Sequence, residues 1–167
     1  MKARGFTLVE LVMTLVIIGV LAVFVSPKFS MLSGFDEVGY RDKVRATLEF
    51  ARKAAVAQRR NVCVTVNGSG LLLTRDLVYP SAGASVNCPN TGGNRLTLPS
   101  SDTKYCTSAT TGNEICAPSG VTLTASLLPG VSLIFSPLGQ PSTGVSYTLT
   151  GQSTYTIIVE AETGYVH

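Results

Sequence analysis

The chain opens on its longest apolar run: the 20 residues from Phe6 to Val25 contain one charged side chain, Glu10. As a helix rising 1.5 Å per residue, such a run is about 30 Å long, the thickness of a bilayer's hydrocarbon core. Lys2 and Arg4 precede it, so the positive-inside bias keeps the short N-terminus cytoplasmic and exports the remainder. After the run the pattern weakens. Pro27 removes a helix donor and Gly34 costs about 1 kcal/mol relative to alanine, so a bend or melted stretch is expected here. Helical period resumes at Asp36, read as an N-cap. Tyr40, Val44, Leu48, Ala51 and Ala55 then recur at spacings of four, four, three and four, forming one apolar stripe. Arg41, Lys43, Arg45, Arg52 and Lys53 fall mostly off that stripe, and Arg59-Arg60-Asn61 should end the helix.

From Asn61 onward the period shortens to that of strands. Val62 to Val66 and Leu71 to Thr74 flank Asn67-Gly68-Ser69-Gly70, a hairpin signal. Further strands are expected at Val121 to Ser126, Val131 to Phe135, Val145 to Leu149 and Tyr155 to Glu160, with turns at Pro129-Gly130 and Pro137-Leu138-Gly139. The polar, Gly/Asn/Thr-rich stretch from about Pro80 to Pro118 reads as a long irregular loop, the place for variable surface function. The predicted fold is α+β. A long N-terminal helix, membrane-spanning in its first half and amphipathic in its second, packs on an antiparallel β-sheet or sandwich. The expected organisation is a leader at 1–5, a spanning helix at 6–26, a bend and amphipathic helix at 27–60 and a β-rich domain at 61–167.

Composition supports this division. Charged residues are sparse at 14% and apolar ones reach 45% of the 167 residues, which a membrane segment explains. Net charge is +3, but Lys2 and Arg4 supply two of those charges, so a chain without its leader carries only +1. Bulk charge therefore gives no support for nucleic-acid binding. Cys63, Cys88, Cys106 and Cys116 contain no CxxC pair, and His167 is the only histidine. A metal site is not expected on that spacing. In an exported domain the four cysteines read as two disulfides with three pairings open, Cys106 with Cys116 being favoured because they flank one polar loop.

Glu10 is what an ordinary anchor leaves unexplained. At that depth a charge costs about 2.5–3.5 kcal/mol, and no cation within the run can answer it. Gly5-Phe6-Thr7-Leu8-Val9-Glu10 resembles the class III signal of prepilins: a basic leader, Gly at the cut, Phe first, and Glu five places into the mature chain. Pro27 stands where pilin helices commonly carry a proline. The resemblance implies cleavage between Gly5 and Phe6 by a prepilin peptidase, N-methylation of Phe6, and assembly through Glu10 and Pro27. The freed amine can offset Glu10 of the same or a neighbouring subunit, making that carboxylate a register device.

The helix followed by a β domain, Ile134 to Gly139 and the closing Glu160 to His167 resemble the GspH/FimT class of minor pilins and pseudopilins. Phe35-Asp36-Glu37 and Tyr40-Arg41-Asp42 resemble minor pilins of the mannose-sensitive haemagglutinin (MSHA) pilus. The implied function is a structural subunit of a type IV pilus, inserted in the inner membrane with its C-terminal domain in the periplasm. Its implied partners are other pilins and an inner-membrane assembly platform. A pseudopilin of a type II secretion system shares every motif, and a DNA- or surface-binding tip subunit is the third reading. No cofactor is implied. No Ser/His/Asp set, HExxH or P-loop spacing supports catalysis. Some FimT-type relatives take up DNA through a basic C-terminal tail; this chain ends Thr163-Gly164-Tyr165-Val166-His167, so no DNA site is carried over.

Overall fold

The computed structural model describes residues 6–25, 28–79, 85–99, 105–106 and 112–167. By contacts the chain divides into two units, Met1–Asp36 and Glu37–His167. The first holds helix α1, Leu8–Val25, and the beginning of helix α2, Lys28–Gln58. Pro27 lies outside the described residues, but the expected melting between it and Asp36 does not occur, since α2 is continuous through Gly34. Asp36 is correspondingly in mid-helix rather than at an N-cap. A single glycine costs only about 1 kcal/mol, which a 31-residue helix with a packed second half absorbs.

The second unit begins with the apolar stripe of α2. Val44, Leu48, Ala51 and Ala55 are fully buried and Tyr40 nearly so. They share one core with Val62, Val64, Leu71, Leu73, Leu133 and Phe135 of a first sheet. Leu123, Val145, Tyr147, Leu149, Ile157 and Val159 of a second sheet complete that core. The first sheet contains β1 (Val62–Asn67), β2 (Gly70–Arg75), β3 (Glu114–Cys116) and β5 (Leu133–Phe135), ordered β3-β2-β1-β5. The second contains β4 (Thr122–Ala125), β6 (Val145–Thr150) and β7 (Thr154–Val159), ordered β4-β6-β7. Every pairing is antiparallel. Asn67 opposes Gly70, so the first hairpin turns on Gly68-Ser69.

The stretch read as an irregular loop is more ordered than its composition suggests. It supplies edge strand β3, a 3-10 turn at Gly92–Asn94, and the buried side chains of Leu96, Leu98, Asn113 and Ile115. Polar groups tie it down. Thr74 Oγ1 donates to the Cys88 carbonyl at 3.1 Å and Asn113 Nδ2 to the Leu73 carbonyl at 2.9 Å. Two disulfides join Cys63 to Cys88, 25 residues apart, and Cys106 to Cys116, 10 apart. Closing the longer loop removes more freedom from the unfolded chain. Replacing Cys63 and Cys88 together by serine should therefore cost about 3–4 kcal/mol, and the Cys106/Cys116 pair less. Thermal denaturation of the two double variants checks the order; a smaller loss at Cys63/Cys88 would contradict it.

The two stretches that carried the GspH/FimT likeness meet in space. Gly164 has φ 65°, and a Cβ there would lie 2.6 Å from the Gly139 carbonyl oxygen. That oxygen also accepts from Arg52 Nε at 3.3 Å, so the first of these stretches is fastened to α2.

Candidate functional site

The site that distinguishes this chain lies at the start of α1. Thr7 is the N-cap: its Oγ1 accepts the Glu10 N–H at 3.3 Å and its carbonyl accepts the Leu11 N–H at 3.2 Å. Thr7-Leu8-Val9-Glu10 thus has the T-x-x-E spacing of a capping box, with the carboxylate at the third helical position, where it offsets the helix dipole. The sequence reading missed this local role, although the spacing signals it. Among the described residues no cation pairs with Glu10.

Around that carboxylate the helix is apolar on every side. Phe6 and Leu8 are each 80% exposed, and Leu11, Met13, Leu15, Val16, Ile17, Ile18 and Leu21 are more than half exposed. Thr14 returns its hydroxyl proton to the Leu11 carbonyl at 2.9 Å, leaving no side-chain donor turned outward there. A helix that is apolar all round has to be covered by protein or by lipid. α1 begins two residues later than the apolar run read from sequence, and among the described residues no helix is long and apolar enough to cross a membrane. Gly5 and Pro27 lie outside the described residues.

The profile of the prokaryotic N-terminal methylation motif matches residues 1–26. That of Type II transport protein GspH matches residues 42–163, most of the chain. The chain belongs to the GspH family. No curated protein sequence matches it. The minor pseudopilin EpsH from the type 2 secretion system of Vibrio cholerae shares its fold, with a TM-score of 0.50 at 11% identity over 75% of this chain and 90% of EpsH. The type IV minor pilin FimU of Pseudomonas aeruginosa aligns with a TM-score of 0.46 at 15% identity, over 75% of this chain and 82% of FimU.

Within this GspH-family chain, the β domain supports α2 through Glu37, which the sequence offered only as part of the Phe35-Asp36-Glu37 motif. Glu37 is 2% exposed and accepts two backbone N–H groups from the β6–β7 turn, Gln152 at Oε2 (3.1 Å) and Ser153 at Oε1 (3.0 Å). One turn on, the Arg41 guanidinium lies 5.3 Å over the Tyr155 ring. At the other sheet Tyr40 donates to the Ser69 carbonyl at 2.6 Å. Burial pushes the Tyr40 and Tyr147 hydroxyls up from their ordinary values, and the Glu114 charge adds to it at Tyr40.

Cys106, Cys116 and Glu114 come within ligand distance of one another, but both sulfurs are committed to a disulfide. His167 Nε2 contacts Glu160 Oε1 at 2.8 Å and the ring stacks on Tyr165, an arrangement at the surface with no nucleophile beside it.

Proposed function

We propose that this GspH-family chain is a non-enzymatic filament subunit, a minor pilin of a type IV pilus. Its leader is removed between Gly5 and Phe6, Phe6 is N-methylated, and the apolar segment from Phe6 to Val25 holds the chain in the inner membrane until assembly. The β domain then faces the periplasm. The observation that carries the reading is one charged side chain, Glu10, one turn inside a helix that is apolar on all other sides. In a filament the new amine at Phe6 meets that carboxylate in apolar surroundings, where an unpaired charge costs several kcal/mol. Register follows from charge pairing, and the apolar flanks supply the packing.

A pseudopilin of a type II secretion system uses the same machinery, and the fold shared with EpsH favours that second reading. Membership in the MSHA pilus is a finer assignment that rests on Phe35 to Asp42 alone. The test is fractionation of cells producing the full-length chain. With an active prepilin peptidase the chain should appear in sheared filaments beside other pilins. With the peptidase inactivated it should stay wholly with the inner membrane. A chain that stays in the membrane in both strains contradicts the proposal.

A further inference from the structure

The end of α2 gathers arginines that, among the described residues, pair with no acidic side chain. Arg59 and Arg60 close the helix, and Arg75 stands opposite Val62 across the β1–β2 pair. Arg75 Nη1 donates to Gln58 Oε1 at 2.9 Å and its Nε to the Gly93 carbonyl at 3.0 Å, which fixes the guanidinium beside the last residue of the helix with Nη2 left for a further acceptor. The Arg60 guanidinium lies 4.5 Å over the Tyr79 ring. Asp76, the carboxylate next in sequence to Arg75, is turned inward: Oδ1 accepts the Val78 N–H at 2.9 Å and Oδ2 the Asn87 N–H at 3.1 Å. Among the described residues the ion pairs use Arg41, Arg45, Lys53 and His167, and none of these three arginines.

Two features here are unfavourable in the isolated chain. Arg59 adopts φ 52°, the left-handed region in which a Cβ is penalised. Its N–H bonds to the Val56 carbonyl and that of Arg60 to the Ala55 carbonyl, so Arg59 occupies the helix-ending position that glycine usually fills. Among the described residues, Nη1 of Arg60 is buried without a hydrogen-bond partner. Alongside, Leu77, Val78 and Tyr79 are 47%, 64% and 63% exposed.

We propose that Arg59, Arg60 and Arg75, with Tyr79, form a docking surface for an acidic segment of a neighbouring subunit. The inference rests on the filament reading above. Guanidinium forks take carboxylates in bidentate pairs. Leu77, Val78 and Tyr79 supply the apolar anchor that surrounds such pairs at the centre of a protein interface. A nucleic-acid backbone is followed by an extended stripe of cations. Here the charge is compact, bordered by apolar side chains, and set in a chain of near-neutral total, so a peptide carboxylate fits better than phosphate.

The test uses the full-length chain in cells with active peptidase, comparing wild type, Arg59→Gly and the Arg59→Gly/Arg60→Ala pair. The readouts are the filament-to-membrane ratio in sheared fractions and the thermal midpoint of each purified protein in detergent. Arg59→Gly should hold or raise the midpoint, because it relieves the backbone, while lowering filament incorporation several-fold. The double variant should fall about tenfold or more. Loss of incorporation at an unchanged or higher midpoint separates docking from folding. Wild-type incorporation by both variants overturns the docking surface. Absence of the wild-type chain itself from filaments overturns the filament reading and this inference with it. A single-stranded DNA oligonucleotide retained by the wild type and released by the double variant would reassign the surface to nucleic acid and overturn the proposal.

Discussion

Glu37→Ala will lower the thermal midpoint of the full-length chain by roughly 10 °C, the equivalent of about 3–4 kcal/mol. The carboxylate is buried and receives the N–H groups of Gln152 and Ser153 at 3.1 and 3.0 Å. Hydrogen bonds to a charged group contribute about 1.5–3 kcal/mol each, and alanine leaves both donors without a partner. The clamp is also long-range. It joins the start of the buried α2 stripe to the β6–β7 turn, 115 and 116 residues away, so its loss loosens the helix from the second sheet. Glu37→Gln should lose about half as much, because the amide keeps one acceptor oxygen. Calorimetry of the two variants in detergent reads the effect, and a shift under about 2 °C for alanine would remove Glu37 from the account.

The second large effect is at Glu10, where two roles overlap and can be separated. As the third residue of a capping box it supports the α1 start, and glutamine serves that role nearly as well. As a charge in an apolar filament core it has no neutral substitute. Glu10→Gln should therefore leave α1 capped and membrane insertion equal or easier, by up to about 2.5–3.5 kcal/mol at full depth. Filament incorporation should nevertheless drop more than tenfold. Thr7→Ala makes the converse change, losing a cap worth about 1 kcal/mol while keeping the carboxylate, and should assemble nearly normally. If Glu10→Gln assembles like wild type while Thr7→Ala fails, Glu10 is a capping residue and the charge-pairing argument is wrong.

These residues also show what can be read from one chain. The α2 stripe was legible because burial selects every third or fourth side chain on a helix, and Tyr40, Val44, Leu48, Ala51 and Ala55 all lie inward. The β1–β2 hairpin was legible because Gly68 needs φ 57° at a two-residue turn. The signal at Gly5 to Glu10 is a linear pattern and needs no fold to be noticed. Glu37 was within reach: it precedes Tyr40 by three residues and Val44 by seven, so a charge stood on the apolar face. Its partners were not, since only the folded chain brings the β6–β7 turn to it. Strand β3 was hidden by the composition around it, because its order comes from the Cys106–Cys116 bridge and pairing with β2. The arginine surface is likewise invisible in sequence: Arg75 reaches Gln58 only through the register that sets Val62 against it. Melting near Gly34 did not occur for the opposite reason, a local penalty being too small to interrupt a long helix.

If the chain is a processed filament subunit, its mature N-terminus shows it most directly. Intact and N-terminal peptide mass spectrometry of the membrane-expressed protein, with and without a prepilin peptidase, reads the mature end. The account predicts a chain beginning at N-methylated Phe6, with the product lost when Gly5 is replaced. A chain still beginning at Met1 in the presence of active peptidase would contradict it, leaving a membrane-anchored β domain whose Glu10 serves only to cap its helix.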